Sequence, residues 1–363
     1  MELINGTRME AGYTLGLEPS GRESLVVVAK GTFNIPENGE SITLASEQVP
    51  LTVADVFDGD PAVSAPVREI DFAPTKRRCD VLVAGSAYAP GGRPTARVTV
   101  GLRVGEMAKS FVVVGDRQWR SGISGVRPGA PETFTVMPIS YDRAFGGIDD
   151  KHDDPAHHVT FRRNPVGRGF HTNLRDIDGS PMPNSEELSR AVEQPNGSYA
   201  PMGLGPVGRN WEPRWQYAGT YDQQWLDEHF PFLPPDFDDR YFQASPEDQQ
   251  IAVPRGETEV ILQNLTPDGM RRFRMPAFDA PVHFFPRHGD REEGAMLLDT
   301  IVVESDLMRL TLTWRATREL RRDIFEMSTV LVGHKSRGWW RARDSGKAYY
   351  SSLAELVKFA GRE

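Results

Sequence analysis

Sixteen of the chain's 28 prolines fall between Pro128 and Pro254. Each one fixes φ and removes a backbone donor, so this stretch cannot be built from long helices or central strands. It also carries Trp211, Trp215, Trp225 and many Phe and Tyr residues, and disordered segments are poor in such rings. The expectation is an ordered but irregular region of loops pinned by buried aromatics. One short helix is expected near Asn184 to Val192. The region wraps regular structure supplied by the rest of the chain, or forms a surface of its own.

The flanks supply that regular structure. Ala96, Val98, Val100, Leu102 and Val104 alternate with Arg97, Thr99, Gly101 and Arg103, a period of two that buries one face of a strand. Ser24 to Lys30, Val81 to Gly85 and Ser110 to Val114 are short β-branched runs bounded by Gly, Pro or charge, as buried strands are. Ala89-Pro90-Gly91-Gly92 is a turn signal expected to close a hairpin. Near the other end, Ile301-Val302-Val303, a Ser305-Asp306 turn and the alternation from Met308 to Arg315 read as a second hairpin. Arg318 to Met327 has helical spacing. Ser352 to Ala360 has a capping box (Ser352, Glu355) and Gly361 as a stop. Val81 to Val104 and Val260 to Met275 both read strand, turn, strand, a weak internal symmetry. The fold class is therefore mainly β: antiparallel, sandwich-like sheets, a long irregular Pro/Gly/aromatic-rich middle and a few short helices. Regions 1–127, 128–256 and 257–363 are expected to pack as one unit.

Charge and cysteine usage exclude several functions. With 51 acidic against 42 basic residues the net charge is −9, which disfavours broad contact with nucleic acid or an anionic membrane. Cys79 is the one cysteine, so no internal disulfide forms, as suits a reducing compartment. The opening residues carry no apolar stretch of signal-peptide type, and the apolar runs are too short to span a bilayer. A cytoplasmic protein is expected.

Catalytic chemistry has few footholds. Asp149, Asp150, His152, Asp153, Asp154, His157 and His158 are the residue types that hold Zn, Mn or Fe, but they surround Pro155 in a polar stretch that reads as a solvated loop. Gly203 to Gly208 spells the dinucleotide pattern G-x-G-x-x-G without the preceding strand and following helix that make it work. Ser124 lies in GISGV, which is not a nucleophile elbow. Cys79, entering a strand, reads as a packing residue. No metal or cofactor site is expected.

Several strings are more telling together: DFAPTKRRCDVLVAGSAYAP (Asp71 to Pro90), GDRQW (Gly115 to Trp119), YDRAFGG (Tyr141 to Gly147), NPVGRGF (Asn164 to Phe170), PMPNSE (Pro181 to Glu186), GLGPVGRNWEPRWQYAGTYDQQW (Gly203 to Trp225) and PPDFDDRYFQASPEDQQ (Pro234 to Gln250). In this order, over about Ser24 to Arg315, the chain resembles a bacterial family classed as a domain of unknown function. Members of that family occur beside genes for type VI secretion spike proteins and effectors. The resemblance implies an adaptor or chaperone that brings an effector, often one with a PAAR-like tip domain, to the VgrG spike. It implies no catalytic residues. The residue chemistry of these strings itself suggests scaffold roles: glycines where positive φ or a close approach is needed (Gly146, Gly147, Gly167, Gly205), turn and cap formers (Asn184, Asp222, Asp238, Asn264), and Arg117, Arg143 and Arg214 paired with Asp116, Asp142 or Asp236.

Three functions compete. The first is a non-enzymatic adaptor that grips a cognate secreted effector and the spike. The second is a metal-dependent hydrolase built on Asp149 to His158, and the third a carbohydrate-binding β module with exposed ring platforms. The adaptor leads. Its candidate partner contacts are Trp119, Tyr141, Arg143, Phe145, Trp211, Arg214, Trp215, Tyr221, Trp225 and Phe237, aromatic and Arg anchors of the kind that dominate interfaces.

Overall fold

The fold comes from a computed structural model of the chain, and the structure describes residues 1–18, 20–123, 125–254, 256–278, 280–350, 352 and 357. The first strands are β1 (Glu2–Gly6), β2 (Glu10–Leu17), β3 (Glu23–Asn34), β4 (Cys79–Tyr88), β5 (Arg97–Val104) and β6 (Met107–Val114). The hairpin β7 (Trp119–Gly122) and β8 (Gly125–Pro128) leads into the middle region, which contributes β9 (Val136–Ile139) and β10 (Ser185–Glu186). It also contributes α1 (Glu212–Trp215) and α2 (Gln223–Glu228). Then come β11 (Glu259–Gln263), β12 (Met270–Arg274), β13 (Pro281–Pro286), β14 (Glu292–Ala295), β15 (Leu297–Glu304), β16 (Arg309–Glu319), β17 (Met327–Gly333) and α3 (Arg337–Asp344). The protein is mainly β, with antiparallel-rich sheets.

An eight-stranded sheet has the order β9-β4-β15-β16-β3-β2, with two short strands paired to its members. A five-stranded sheet has the order β10-β6-β5-β11-β12, and a four-stranded sheet the order β1-β17-β13-β14. Strands from regions 1–127 and 257–363 pair with each other within them: β4 runs parallel to β15 with Asp80 opposite Thr300, and β5 pairs β11 with Leu102 opposite Leu262. The two flanks are thus one body. Most ladders are antiparallel as expected, but β4·β15, β1·β17 and the short pairing of Phe145–Gly146 with Arg168–Gly169 are parallel.

One apolar core joins the three sheets. Val27, Val81, Val83, Ile301, Leu310, Leu312 and Trp314 from the large sheet meet Val98, Val100, Phe111 and Leu262, with Val282, Val330 and Val332 from the smallest sheet. Burying each such side chain stabilises by about 1.5–3 kcal/mol. The period-two reading of 96–104 holds, since Val98, Val100, Leu102 and Val104 are buried while Arg97, Thr99 and Arg103 are exposed.

The other face of the large sheet is polar and also buried. Lys30 bonds Asp71 at 2.9 Å and Lys76 bonds Asp80 at 2.7 Å. The ladder of β15 shifts register between Leu298 and Thr300, a β-bulge, and the carboxylate of the intervening Asp299 meets Arg315. Arg315 in turn donates to the carbonyls of Asp71 and Ala73. Asp80 is the hub. Besides Lys76 it accepts from Gln243 Nε2, the backbone of Ala244 and Ser245, and Ser245 Oγ. Burial alone would raise its pKa, but Lys76 and these donors hold its carboxyl below the ordinary value. Burial would likewise depress Lys76, yet Asp80, Glu69 and Asp299 hold it above its ordinary value.

Three local expectations need correction. The 89–92 turn forms, but its flanking strands β4 and β5 lie in different sheets, so it closes no hairpin. Asn184 to Val192 is not helical. Ser185–Glu186 pairs with β6, drawn there by Glu186, whose carboxylate is shared by Arg97 and Arg117. Arg318 to Met327 is not a helix either: β16 runs on to Glu319, and only a 3-10 turn, Ile324–Glu326, precedes β17. Arg318 is held there between Glu292 and Glu326, at 2.7 Å from each. The expected helix at 352–360 lies, but for Ser352 and Val357, outside the described residues. The hairpins β15–β16 and β11–β12 form as expected.

Candidate functional site

The proline-rich middle is organised by two small aromatic cores. In the first, Phe145 meets Phe161, Phe170 and Tyr199 edge to face, with ring centroids 5.0–6.3 Å apart, and Trp119 is fully buried beside them. Trp119 Nε1 donates to the carbonyl of Gly169 at 3.0 Å, which fixes the strand to the loop. Gly146 makes the packing possible: its φ is +151°, and an added Cβ would lie 2.2 Å from the Asn164 carbonyl oxygen. Asn164 also donates its side-chain amide to the carbonyls of Tyr141 and Phe145. In the second core Tyr141 stands edge to face with Trp211 at 5.5 Å, beside Ala65, Ala144 and Val207. Buried Arg214 forks onto Glu69 at 2.7 and 3.1 Å and donates to the carbonyls of Val207 and Tyr241.

Five of the ten candidate contacts, Trp119, Tyr141, Phe145, Trp211 and Arg214, are therefore interior and act as framework in this conformation. Arg143, Trp225 and Phe237 are half-buried, while Trp215 and Tyr221 are exposed. The expected arginine pairings are partly different. Arg143 does reach Asp116, at 3.5 Å, but Arg117 pairs with Glu186 and Arg214 with Glu69. Asp236 instead accepts from Thr220. Among the glycines, Gly205 has open space around it and needs no close approach.

The exposed rings gather on one segment. Trp215 is 60% exposed, Tyr221 53%, Leu226 52%, Phe230 63% and Phe232 42%. Asp222 caps α2 by accepting from the Trp225 backbone. That places Trp225 between Tyr221 (4.8 Å, interplanar 71°) and Phe230 (5.6 Å, 85°). Trp225 Nε1 also donates to the Phe232 carbonyl at 2.9 Å. Phe237 stacks on Tyr241 and Phe242 nearby in sequence, and Arg240 lies over the Tyr217 ring at 4.1 Å. Tyr221, Trp225 and Phe230 thus hold one another edge to face while Tyr221 and Phe230 remain exposed, an arrangement that marks a binding surface more often than chance exposure does. Leu226, Phe230 and Phe232 were not among the sequence candidates. The run HFPFLPPDF (His229 to Phe237) carried the available signal, three Phe and one Leu among three prolines that rule out a central strand.

The Asp/His run has a different geometry. Asp149 Oδ2 accepts from the Thr172 backbone, the Thr172 hydroxyl and the Asn173 backbone, each at 2.7 Å. Burial would raise this carboxyl, but those donors keep it below its ordinary value. Asp149 thus staples the 172–173 loop and faces away from solvent. His157 meets Asp154 at 3.1 Å and stacks on His152 at 4.4 Å, and both rings are exposed. Among the described residues no three His, Cys, Asp or Glu side chains sit together as a metal-holding group. Cys79 is buried. Burial, then Asp299 and Asp80, push its thiol well above the ordinary value, so it is a poor nucleophile. Leu204 and Val207 of the glycine-rich stretch are core residues, and Ser124 lies outside the described residues. Among the described residues no helix is long and apolar enough to cross a membrane.

No curated protein and no solved structure matches the chain. A family model does, over residues 20–315, a span that contains both aromatic cores whole and the two larger sheets except β2 and the last four residues of β16. The chain accordingly belongs to the bacterial family described as "Uncharacterized protein conserved in bacteria (DUF2169)".

Proposed function

We propose that this protein is a non-enzymatic accessory factor of type VI secretion, an adaptor or chaperone that holds a cognate effector and helps load it onto the VgrG spike. The observation that carries the reading is the Tyr221–Trp225–Phe230 ring cluster, with Trp215, Leu226 and Phe232 of the same segment also exposed. Trp, Tyr and Phe give large contact area at low entropy cost, and such anchors dominate binding energy once a partner covers them. The occupant is an apolar segment of the effector, shielded until release. The rings stand edge to face, which breaks up the flat platform on which a sugar ring would stack and favours a protein client over a carbohydrate.

The test is a pull-down of the effector encoded beside this gene, with secretion followed in parallel. Wild-type protein should retain the effector. Trp215→Ser with Phe230→Ser should weaken retention at least about tenfold, since two interface anchors are removed, while the melting temperature stays within about 1 °C because both side chains are exposed. If no neighbouring effector binds, or if deleting the gene leaves effector abundance and secretion unchanged, the reading is wrong.

A further inference from the structure

Several arginines of this protein are closely paired with carboxylates. Arg318 lies between Glu292 and Glu326, Arg309 and Arg68 share Glu304, and Arg209 meets Asp55 and Glu69. An open cleft of about 800 Å³ is lined by Arg117, Arg120, Arg127, Arg143 and Arg168, with Asp116 and Glu132 as its acidic residues. In the β7–β8 hairpin Arg120 stands directly opposite Arg127, and like charges directly opposite on neighbouring strands destabilise the pair. Arg127 is exposed and its guanidinium meets no carboxylate among the described residues, while Arg120 has Asp178 at 3.9 Å, both side chains more than half exposed.

The inner part of the cleft is also rich in positive charge. Arg168 donates its Nε to a backbone carbonyl, that of Asp142. Burial, and after it the facing Arg143 guanidinium, hold Arg168 below its ordinary pKa. Arg117 is buried and bound to Glu186, yet its Nε has no hydrogen-bond partner. In a chain of net charge −9, five guanidiniums surround one opening; the inner ones are held by Glu186, Asp116 and a backbone carbonyl, which leaves Arg127 and Arg120 at the rim with the weakest pairing.

We propose that this cleft docks an acidic stretch of a protein partner, with Arg120 and Arg127 gripping neighbouring carboxylates and Arg143 and Arg168 lining the seat. Guanidinium forks match carboxylates bidentately. A nucleic acid would need a longer basic track, and the acidic remainder of the surface repels an extended polyanion. The cleft and the Trp215–Phe232 segment are made of different residues, and this inference does not rest on the secretion reading. A failed peptide titration leaves the effector pull-down untouched, and the reverse.

The experiment is fluorescence anisotropy of a labelled oligoglutamate peptide against the full chain, with oligolysine, a single-stranded oligonucleotide and inorganic phosphate as the other arms. Oligoglutamate should bind at low salt and weaken as salt rises. Arg127→Glu should weaken it about tenfold or more, the loss of a charge-assisted contact, while Arg93→Glu, an equal change of charge at an exposed site outside the cleft, should change it less than about twofold. Arg127→Gln, which relieves the cross-strand repulsion, should leave the melting temperature unchanged or raised; a purely structural role would lower it. Absence of oligoglutamate binding, equal effects of Arg127→Glu and Arg93→Glu, or tighter binding of the oligonucleotide or phosphate through the same arginines would each overturn the assignment.

Discussion

Replacing Asp80 by Asn should be among the most damaging conservative changes in this protein. Asp80 lies in a central strand, is fully buried, and accepts five hydrogen bonds. Asn keeps the shape but removes the charge and turns one acceptor into a donor, which then faces another donor whichever way the amide is placed. It also leaves Lys76, whose side chain is 3% exposed, as a buried cation without its partner. Breaking a buried pair in this way costs about 3–5 kcal/mol, a large share of the roughly 5–15 kcal/mol that holds a typical domain together. Lys76→Met should cost less, about 1–3 kcal/mol, because Asp80 retains its other donors. In the Asp80→Asn background, Lys76→Met should cost almost nothing or restore stability, since the orphaned cation is gone. Urea unfolding of the four proteins gives the coupling energy, and hydrogen exchange locates the damage. The amides of Ala244 and Ser245 should exchange faster, while those of the paired β5 and β6 strands keep their protection. An Asp80→Asn loss below about 0.5 kcal/mol, or a double variant that loses the sum of the singles, would refute the view of Asp80 as the hub joining sheet and middle region.

Two further outcomes follow from the same physics. Trp119→Ala should cost about 3–5 kcal/mol by emptying the core around Phe145, measured as a lower urea midpoint, and a loss under about 1 kcal/mol would mean the small core does not depend on it. On acidification, the depressed carboxyls of Asp80 and Glu304 contribute stability that is fully present above their unfolded pKa of about 4 and is lost as pH falls through the lower folded values. Lys76, raised, contributes below its unfolded pKa of about 10.4 and is lost above that. Burial holds His171 and His283 below their ordinary pKa, so melting temperature should fall gently below about pH 6.5 and more steeply below about pH 4, with a shallower acid limb in Asp80→Asn; an identical limb in that variant would count against the sign of the Asp80 shift.

The sequence made the strands legible wherever one face meets the apolar core. Val98 to Val104 and Leu310 to Trp314 announce themselves by period alone. What it hid was the destination of the other face. Thr311, Thr313 and Arg315 read as a wet face, yet they are buried beneath the 71–80 segment with Asp71 and Asp299 as partners, because a buried charge layer and a solvated one have the same spelling. The two misread helices failed for a related reason. Asn184 to Val192 has a helical composition, but Asn184 is held by Val114 and Asp116 and Glu186 by two arginines from distant strands, and tertiary contacts override weak propensity. The candidate site was legible as composition and not as address. Trp211 and Trp215 bracket one short helix, one 2% and the other 60% exposed, and nothing in their spacing says which ring faces out.

The pairing of β1 with β17 sets a timetable for folding. β17 is the middle member of the small sheet, with β1 on one side and β13 on the other. Synthesis at about 5–20 residues per second makes Glu2–Gly6 roughly 15–65 s before Met327–Gly333 exists to receive it. The β13–β14 hairpin can form meanwhile from local contacts, but an empty slot remains between it and β1. Both strands of the late pair lie outside the family-matched residues 20–315, so the shared body and its closing clasp are separable in sequence. Any chain that stops short of Met327 presents two open strand edges where the finished protein presents a filled sheet, and open edges invite aggregation and proteolysis. A ribosome product cut short is thereby distinguishable from a complete one before it meets any partner.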